Sequence, residues 1–131
     1  MKQNRRELEI LNILYSSDQA LTSAQIVRAG DGLTQSTVQA VIRKLMADKM
    51  IEEKGVTYSG NVLSRTFGVT ERSREVLNQL FIDYLRTYKS IIGLRAVICG
   101  MFEMEEDETK KGEYIEILEE LLDELKGQME K

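Results

Sequence analysis

The sequence predicts a mainly α-helical fold with one small β-hairpin, arranged as a winged helix-turn-helix followed by a helical dimerisation region. Apolar residues recur at helical spacing in several segments, and two β-rich runs meet at the turn Ser59-Gly60-Asn61. The glycine turn Gly30-Asp31-Gly32 separates two helical segments that precede these runs. Two helices joined by a tight turn and followed directly by a hairpin are typical of a winged helix.

The N-terminal half is predicted to contain three helices and the hairpin. Apolar residues at i, i+3 and i+4 give each helix a stripe that can be buried. Thr34 is the expected N-cap of the third helix, because its hydroxyl can accept from the first backbone N–H groups that lack partners. The predicted elements are helices at 5–16, 23–29 and 33–51 and two strands within 51–70.

The third helix carries short polar and basic side chains opposite its apolar stripe. Amides, hydroxyls and a guanidinium can hydrogen-bond base edges in the major groove of DNA, and cations of the hairpin can contact phosphate. Each of these residues is also typical of a solvated surface, and that alternative stays open for each one. The predicted DNA-binding residues are Gln35, Ser36, Thr37, Gln39, Arg43, Lys44, Lys54, Asn61 and Arg65.

The C-terminal half is predicted to be helical at 71–90 and 110–129, with an apolar helix over 90–102 and an acidic connector at 103–108. A helix that is apolar nearly all round is buried on most sides, and a second copy of the chain would cover it. The alternative is a monomer whose last helices fold back onto the winged helix. We therefore expect a DNA-binding domain at 1–70 and a dimerisation domain at 71–131. The predicted dimer interface comprises Leu77, Leu80, Phe81, Tyr84, Ile91, Ile92, Leu94, Ile98, Leu118 and Leu122.

Charge is distributed unevenly along the chain. Residues 1–98 hold 14 Lys and Arg against 10 Asp and Glu, whereas residues 99–131 hold 4 against 12, which gives net charges of +4 and −8. A mildly basic body with an acidic segment is compatible with binding a polyanion through one face. The small basic excess predicts modest, salt-dependent attraction to double-stranded DNA.

Catalytic and metal-binding residues are scarce in the sequence. There is no histidine, and the single cysteine, Cys99, lies in an apolar stretch and is expected to be buried. We therefore predict no enzyme activity, no cofactor and no metal site. The chain lacks both a signal-peptide pattern and an apolar run of about 20 residues, so no membrane association and a cytoplasmic location are expected.

Nearly the whole chain resembles the penicillinase-repressor family (BlaI/MecI-like, with copper-responsive repressors as relatives). The family's first helix is matched by RRELEILNILYSS, in which Tyr15 stands where members commonly have tryptophan. The recognition helix and the start of the wing are matched by LTQSTVQAVIRKLMADKMIEEK, and the last helix by ILEELLDEL. The resemblance implies a homodimeric repressor whose DNA-reading positions are Gln35, Ser36, Thr37, Gln39 and Arg43.

Two family features are missing from the chain. Antibiotic-responsive members are induced by a cut at an Asn-Phe bond, and the matching stretch here, residues 97–102, contains no such bond. Copper-responsive members end in paired cysteines, which the last residues here lack. The sequence does not identify what relieves repression, and an unknown inducer or sensor protein is one candidate partner. The competing hypothesis is a winged-helix module that binds another protein through residues 90–102 instead of binding DNA.

Overall fold

The computed structural model describes residues 4–130 of the chain. Within that range the protein forms six helices and a two-stranded antiparallel sheet, which confirms the predicted fold class. It divides into two compact units, one ending at Asp83 and one beginning at Tyr84. The elements are α1 (Arg5–Ser16), α2 (Ser23–Ala29), α3 (Gln35–Ala47), β1 (Ile51–Ser59), β2 (Val62–Val69), α4 (Glu71–Thr87), α5 (Leu94–Met104) and α6 (Glu108–Met129).

The core of the N-terminal unit lies between α1, α2, α3 and the base of the hairpin. The predicted apolar stripes supply most of it, because each helix presents one apolar side to the others. Val76 and Leu77 of α4 pack against this core from its edge. The buried apolar residues are Ile10, Leu11, Leu14, Ile26, Leu33, Val38, Ile42, Leu45, Met50, Ile51 and Phe67.

The end of α3 differs from the prediction, which continued this helix to Ile51 and is wrong there. The backbone N–H groups of Lys49 and Met50 donate to the carbonyls of Met46 and Leu45 at 3.0 and 2.8 Å. This pair of bonds is a Schellman motif, whose turn residue has positive φ and is usually glycine. Lys49 takes that place with φ of 60°. The helix stop was missed because a lysine gives no stop signal in the sequence.

The hairpin is joined by the two-residue turn Gly60-Asn61, which lies within the predicted turn 59–61, whereas Ser59 is the last residue of β1. Gly60 has φ of 66°, and glycine is favoured at the first position of such a turn because it has no Cβ. Lys54 forms a bulge in β1. On the other side of β2, Leu21 and Phe67 exchange two backbone hydrogen bonds of 3.0 and 2.8 Å. These bonds fix the hairpin to the segment that leads into α2.

A hydrogen-bonded chain joins α1 to the beginning of α4. The hydroxyl of Tyr15 contacts that of the buried Ser73, and Ser73 Oγ donates to the Thr70 carbonyl at 2.6 Å. Because the single hydroxyl proton of Ser73 is used on Thr70, Tyr15 is the donor in the first contact. The Arg74 guanidinium also lies 5.0 Å from the centroid of the Tyr15 ring.

We expect Tyr15→Phe to lower the free energy of unfolding by about 1 kcal/mol, since it removes one hydrogen bond and leaves the buried Ser73 oxygen without its donor. Urea unfolding followed by circular dichroism measures the difference. Tyr58→Phe is the matched control, because Tyr58 is 74% exposed on the hairpin. Equal stability of Tyr15→Phe and the wild type would show that the contact contributes nothing.

The C-terminal unit contains the end of α4 together with α5 and α6. No residue within α5 or α6 is buried in the single chain, and the burial predicted for segment 90–102 depends on a second copy of the chain as its cover. A lone pair of helices cannot enclose either member. For the same reason Cys99, which was predicted to be buried, is exposed. No helix among residues 4–130 is both long and apolar enough to cross a membrane.

The helix boundaries of the C-terminal half also differ from the prediction. α4 ends at Thr87 instead of near residue 90, and the acidic connector between α5 and α6 is shorter than predicted. Within this connector, Glu105 accepts from the Asp107 backbone N–H at 3.1 Å and from the Tyr114 hydroxyl at 3.0 Å. These two donors favour the charged form and hold the pKa of Glu105 below its usual value.

Candidate nucleic-acid interface

The candidate interface is the side of α3 that faces away from the core. Thr34 caps this helix, as predicted, by accepting from the Thr37 backbone N–H at 3.2 Å. The Thr34 hydroxyl in turn donates to Thr37 Oγ1 at 2.9 Å. The buried stripe and the exposed polar side chains then alternate as an amphipathic helix requires. The exposed predicted residues on α3 are Gln35, Ser36, Gln39, Arg43 and Lys44, whereas Thr37 is half-buried.

The N-terminal end of α3 is connected to α2 by one side-chain hydrogen bond, and a second polar contact lies within its first turn. Gln35 Nε2 donates to Ser23 Oγ at 2.8 Å, and Ser36 Oγ lies 3.3 Å from Thr34 Oγ1. Ser23 is the first residue of α2, which has its own N-cap at Thr22. The hydrogen bond from Gln35 to Ser23 therefore joins the polar N-terminal ends of the two helices.

An open groove of 650 Å³ lies between α3 and β2 and brings three predicted residues together. Gln39 and Arg43 reach it from α3, and Arg65 reaches it from β2. Arg65 is oriented by Glu53, at 3.8 Å, and by the Phe67 ring, whose centroid is 5.4 Å from the guanidinium carbon. The other lining residues are Ser23 and Ser64 and the apolar Ile42, Met46 and Phe67.

The two other predicted hairpin residues lie outside this groove. Lys54 Nζ is 2.5 Å from the carboxylate of Glu52, and the negative charge of this carboxylate offsets the positive charge of Lys54. Asn61 is exposed at the tip of the hairpin. The tip carries no lysine or arginine between Lys54 and Arg65, and its exposed apolar side chains are Val56, Tyr58, Val62 and Leu63.

Lys44 differs from the other predicted residues because its side chain has a partner on α1. Its ammonium group donates to the carboxylate of Glu7, a fully buried residue on α1. This hydrogen bond is the largest cause of the raised pKa of Lys44. The other Glu7 oxygen accepts from the Asn4 backbone N–H at 3.3 Å, and Asn4 Oδ1 accepts from the Glu7 backbone N–H at 2.9 Å. Glu7 thus joins the N-terminus of α1 to α3.

Glu7 was absent from the residues predicted by sequence analysis. The Asn4-x-x-Glu7 spacing is that of a capping box, and this signal would have singled out Glu7 at the start of α1. The contact between α1 and α3 could not be found in this way, because Lys44 lies 37 residues further along the chain. Only the packing of the two helices brings these charges together.

The predicted dimer residues lie in different surroundings. Leu77 packs against the core of the N-terminal unit. Within the C-terminal unit, α5 and α6 form an apolar cleft of 270 Å³ that includes Ile98 and Leu118. Of the remaining predicted residues, Leu80 and Ile92 are half-buried, and Phe81, Tyr84, Ile91, Leu94 and Leu122 are exposed.

Comparison with known proteins gives matches only among solved structures. No protein-family model and no curated protein sequence matches the chain. The chain is similar to a single-residue variant of MepR from a multidrug-resistant S. aureus isolate, with 22% identity, a TM-score of 0.52 and coverage of 91% of this chain and 79% of that one. It is also similar to the adhesin competence repressor AdcR of Streptococcus pyogenes, with 17% identity, a TM-score of 0.50 and coverage of 99% and 82%.

A third similar structure is a PadR family transcriptional regulator from Eggerthella lenta, with 13% identity, a TM-score of 0.52 and coverage of 66% of this chain and 80% of that one. At such identities the likeness concerns the fold alone. The matched region nevertheless covers 79–82% of the length of these three structures. The chain has the fold of winged-helix transcriptional regulators.

Proposed function

We propose that the protein is a DNA-binding transcriptional regulator that acts in the cytoplasm as a homodimeric repressor of the penicillinase-repressor kind. The observation that carries this proposal is the groove that joins Gln39 and Arg43 of α3 to Arg65 of the hairpin. These side chains are polar, largely exposed and turned away from the core. In this proposal residues 1–70 are the DNA-binding domain and residues 71–131 are the dimerisation domain.

The chemistry of the α3 surface suits the major groove. An α-helix fits this groove, where glutamine pairs with adenine and arginine with guanine through two hydrogen bonds each. Gln39 and Arg43 are four residues apart and therefore lie on the same side of α3. Arg65 and Lys54 of the hairpin, with the hydroxyls of Ser36 and Thr37, would bind phosphate and position the helix. Gln35 and Asn61 complete the proposed contact surface.

The exposed apolar side chains of the C-terminal unit support a homodimer. Large apolar surfaces are rare on monomeric proteins and usually mark an interface. A twofold-symmetric dimer would present two copies of α3, which bind half-sites of a palindromic operator about one helical turn apart or a small multiple of it. Binding there would block access to a promoter until an inducer or sensor protein reverses it.

Fluorescence anisotropy tests this proposal directly. The purified protein is titrated into a labelled duplex from the DNA flanking its own gene, with a shuffled duplex as control, at two salt concentrations. Tight binding to the flanking duplex alone, saturating at two chains per duplex, supports a dimeric repressor. Equal, weak and salt-sensitive binding to both duplexes would exclude a self-regulating repressor.

Arg43→Ala is expected to weaken binding to the preferred duplex by about 1–3 kcal/mol and to relax the base preference at one position of each half-site. Lys89→Ala is the control, because it removes one exposed cation from the connector between α4 and α5. Anisotropy against duplexes substituted at single positions measures both effects. Unchanged affinity and preference in Arg43→Ala would show that α3 does not read the bases.

A second candidate function is recognition of another protein through the hairpin. The exposed Val56, Tyr58, Val62 and Leu63 favour it, since a hairpin tip that binds phosphate would be expected to carry cations. In that case the wild type shows no preference between the two duplexes, and substitution of Arg43 has no effect on its residual binding.

A further inference from the structure

Glu7 is the single fully buried acidic residue among residues 4–130, and its carboxylate has two partners from different parts of the chain. One oxygen accepts from the Asn4 backbone N–H, at the beginning of α1. The other accepts from Lys44 Nζ, on α3. Removing a carboxylate from water costs free energy unless its oxygens are hydrogen-bonded. The buried Glu7 carboxylate therefore requires Lys44 Nζ to stay within hydrogen-bonding distance.

Lys44 belongs to α3, whose exposed side chains are the proposed DNA contacts. Lys44 and Arg43 are neighbours in the sequence, and their side chains have different surroundings. Arg43 lines the groove beside β2, whereas Lys44 reaches back to α1. Moving α3 along or around its axis would separate Lys44 from Glu7, while the apolar contacts of Val38 and Ile42 tolerate small shifts because they are not directional.

We infer that Glu7 and Lys44 are positioning residues, which fix the rotation and height of α3 against α1 so that Gln39 and Arg43 are presented to DNA in one orientation. This inference rests on the proposed function of α3. It reassigns Lys44 from a phosphate contact to an internal contact, because its ammonium group is engaged by a buried carboxylate.

Amide hydrogen exchange tests the inference without DNA. Glu7→Gln keeps the size of the side chain and its capping bond to Asn4, and Lys44→Met keeps the apolar part of the lysine. We expect both variants to accelerate exchange of the α3 amides about ten-fold, because each removes a charge-assisted hydrogen bond that holds the helix. Arg6→Met is the matched control, since it removes an exposed ion pair, Arg6–Glu9 at 3.1 Å, from the same helix α1.

The elements in which exchange accelerates show whether the pair positions α3 or stabilises the whole N-terminal unit. Acceleration confined to α3 and the beginning of α1 supports the inference. Equal acceleration in α2 and β2 would mean that the pair stabilises the whole unit. Unchanged exchange in α3 would mean that the Glu7–Lys44 pair does not stabilise the position of this helix. Either result would overturn the inference, whatever the protein does with DNA.

The salt dependence of DNA binding gives a second, independent test. We expect Lys44→Met to weaken binding to the preferred duplex about ten-fold without changing the slope of log affinity against log salt concentration. Arg65→Met, which removes a proposed phosphate contact, should flatten that slope by about 1. The double variant Glu7→Gln/Lys44→Met should bind no more weakly than Lys44→Met alone, because a single contact is lost in both.

A flattened slope in Lys44→Met, with tighter binding by Glu7→Gln, would show that Lys44 contacts phosphate and would overturn the inference. A wild-type protein that binds neither duplex would instead contradict the proposed function. The two failures are therefore distinguishable, and hydrogen exchange still decides the role of the pair.

Discussion

Leu45→Ala is expected to lower the free energy of unfolding of the N-terminal unit by about 2–5 kcal/mol, the largest single-site loss of stability that we predict. Leu45 has no exposed surface and lies among the apolar side chains of α1, α3 and the hairpin base. It also accepts, through its carbonyl, the Met50 N–H bond that ends α3. Shortening the side chain leaves a cavity in a close-packed core while the backbone bond remains.

Equilibrium unfolding in urea at a fixed protein concentration measures this loss. Leu63→Ala is the matched control, because the same atoms are removed from an exposed position of the hairpin. The control should change stability by no more than about 0.5 kcal/mol. A loss below about 1 kcal/mol in Leu45→Ala would mean that neighbouring side chains move in to fill the cavity, or that the core around Leu45 is loosely packed.

The double substitution Leu94→Lys/Leu122→Lys is expected to convert the proposed dimer into a monomer. The two side chains are 76% and 52% exposed in the single chain, one on α5 and one on α6. In a dimer interface each lysine would be desolvated next to apolar groups, and the symmetry doubles the number of buried charges. We expect the dimer dissociation constant to rise at least about 100-fold.

Sedimentation velocity over a range of concentrations measures the change in assembly. Glu116→Lys is the control, because it introduces a lysine on the side of α6 opposite the centre of its leucine row, which is formed by Leu118, Leu121, Leu122 and Leu125. DNA affinity should fall with the loss of the dimer, since the second half-site is no longer bound by a linked partner. A wild-type chain that sediments as a monomer would contradict the homodimer, and a double variant that remains dimeric would exclude this interface.

The fold of the N-terminal unit was largely predictable, since it follows from local signals. Apolar spacing identified α1, α2 and α3, the hydroxyl of Thr34 identified the start of α3, and a glycine turn identified the hairpin. Each of these signals depends on residues a few positions apart. They agree with one another, and a set of consistent local signals specifies a fold well.

The remaining features depend on contacts that local signals do not show. The turn after α3 was missed because Lys49 has a positive φ without being glycine. The contact of Lys44 with Glu7 was missed because the two residues lie in different helices. For the candidate site, sequence patterns identified the polar side of α3, whereas the groove shared with Arg65 became visible only through packing. The DNA contacts themselves remain predictions.

The separation of the two sides of α3 has a consequence for how such a protein can evolve. Val38, Ile42 and Leu45 hold the helix in the core, whereas Gln39 and Arg43 lie outside it. Substitutions at exposed positions usually change stability little. In the proposed function, a lineage could therefore exchange one operator for another through single mutations at residues 39 and 43, while selection for a stable fold acts on different codons. The DNA sequence that the protein binds would then change during evolution without loss of the stable fold.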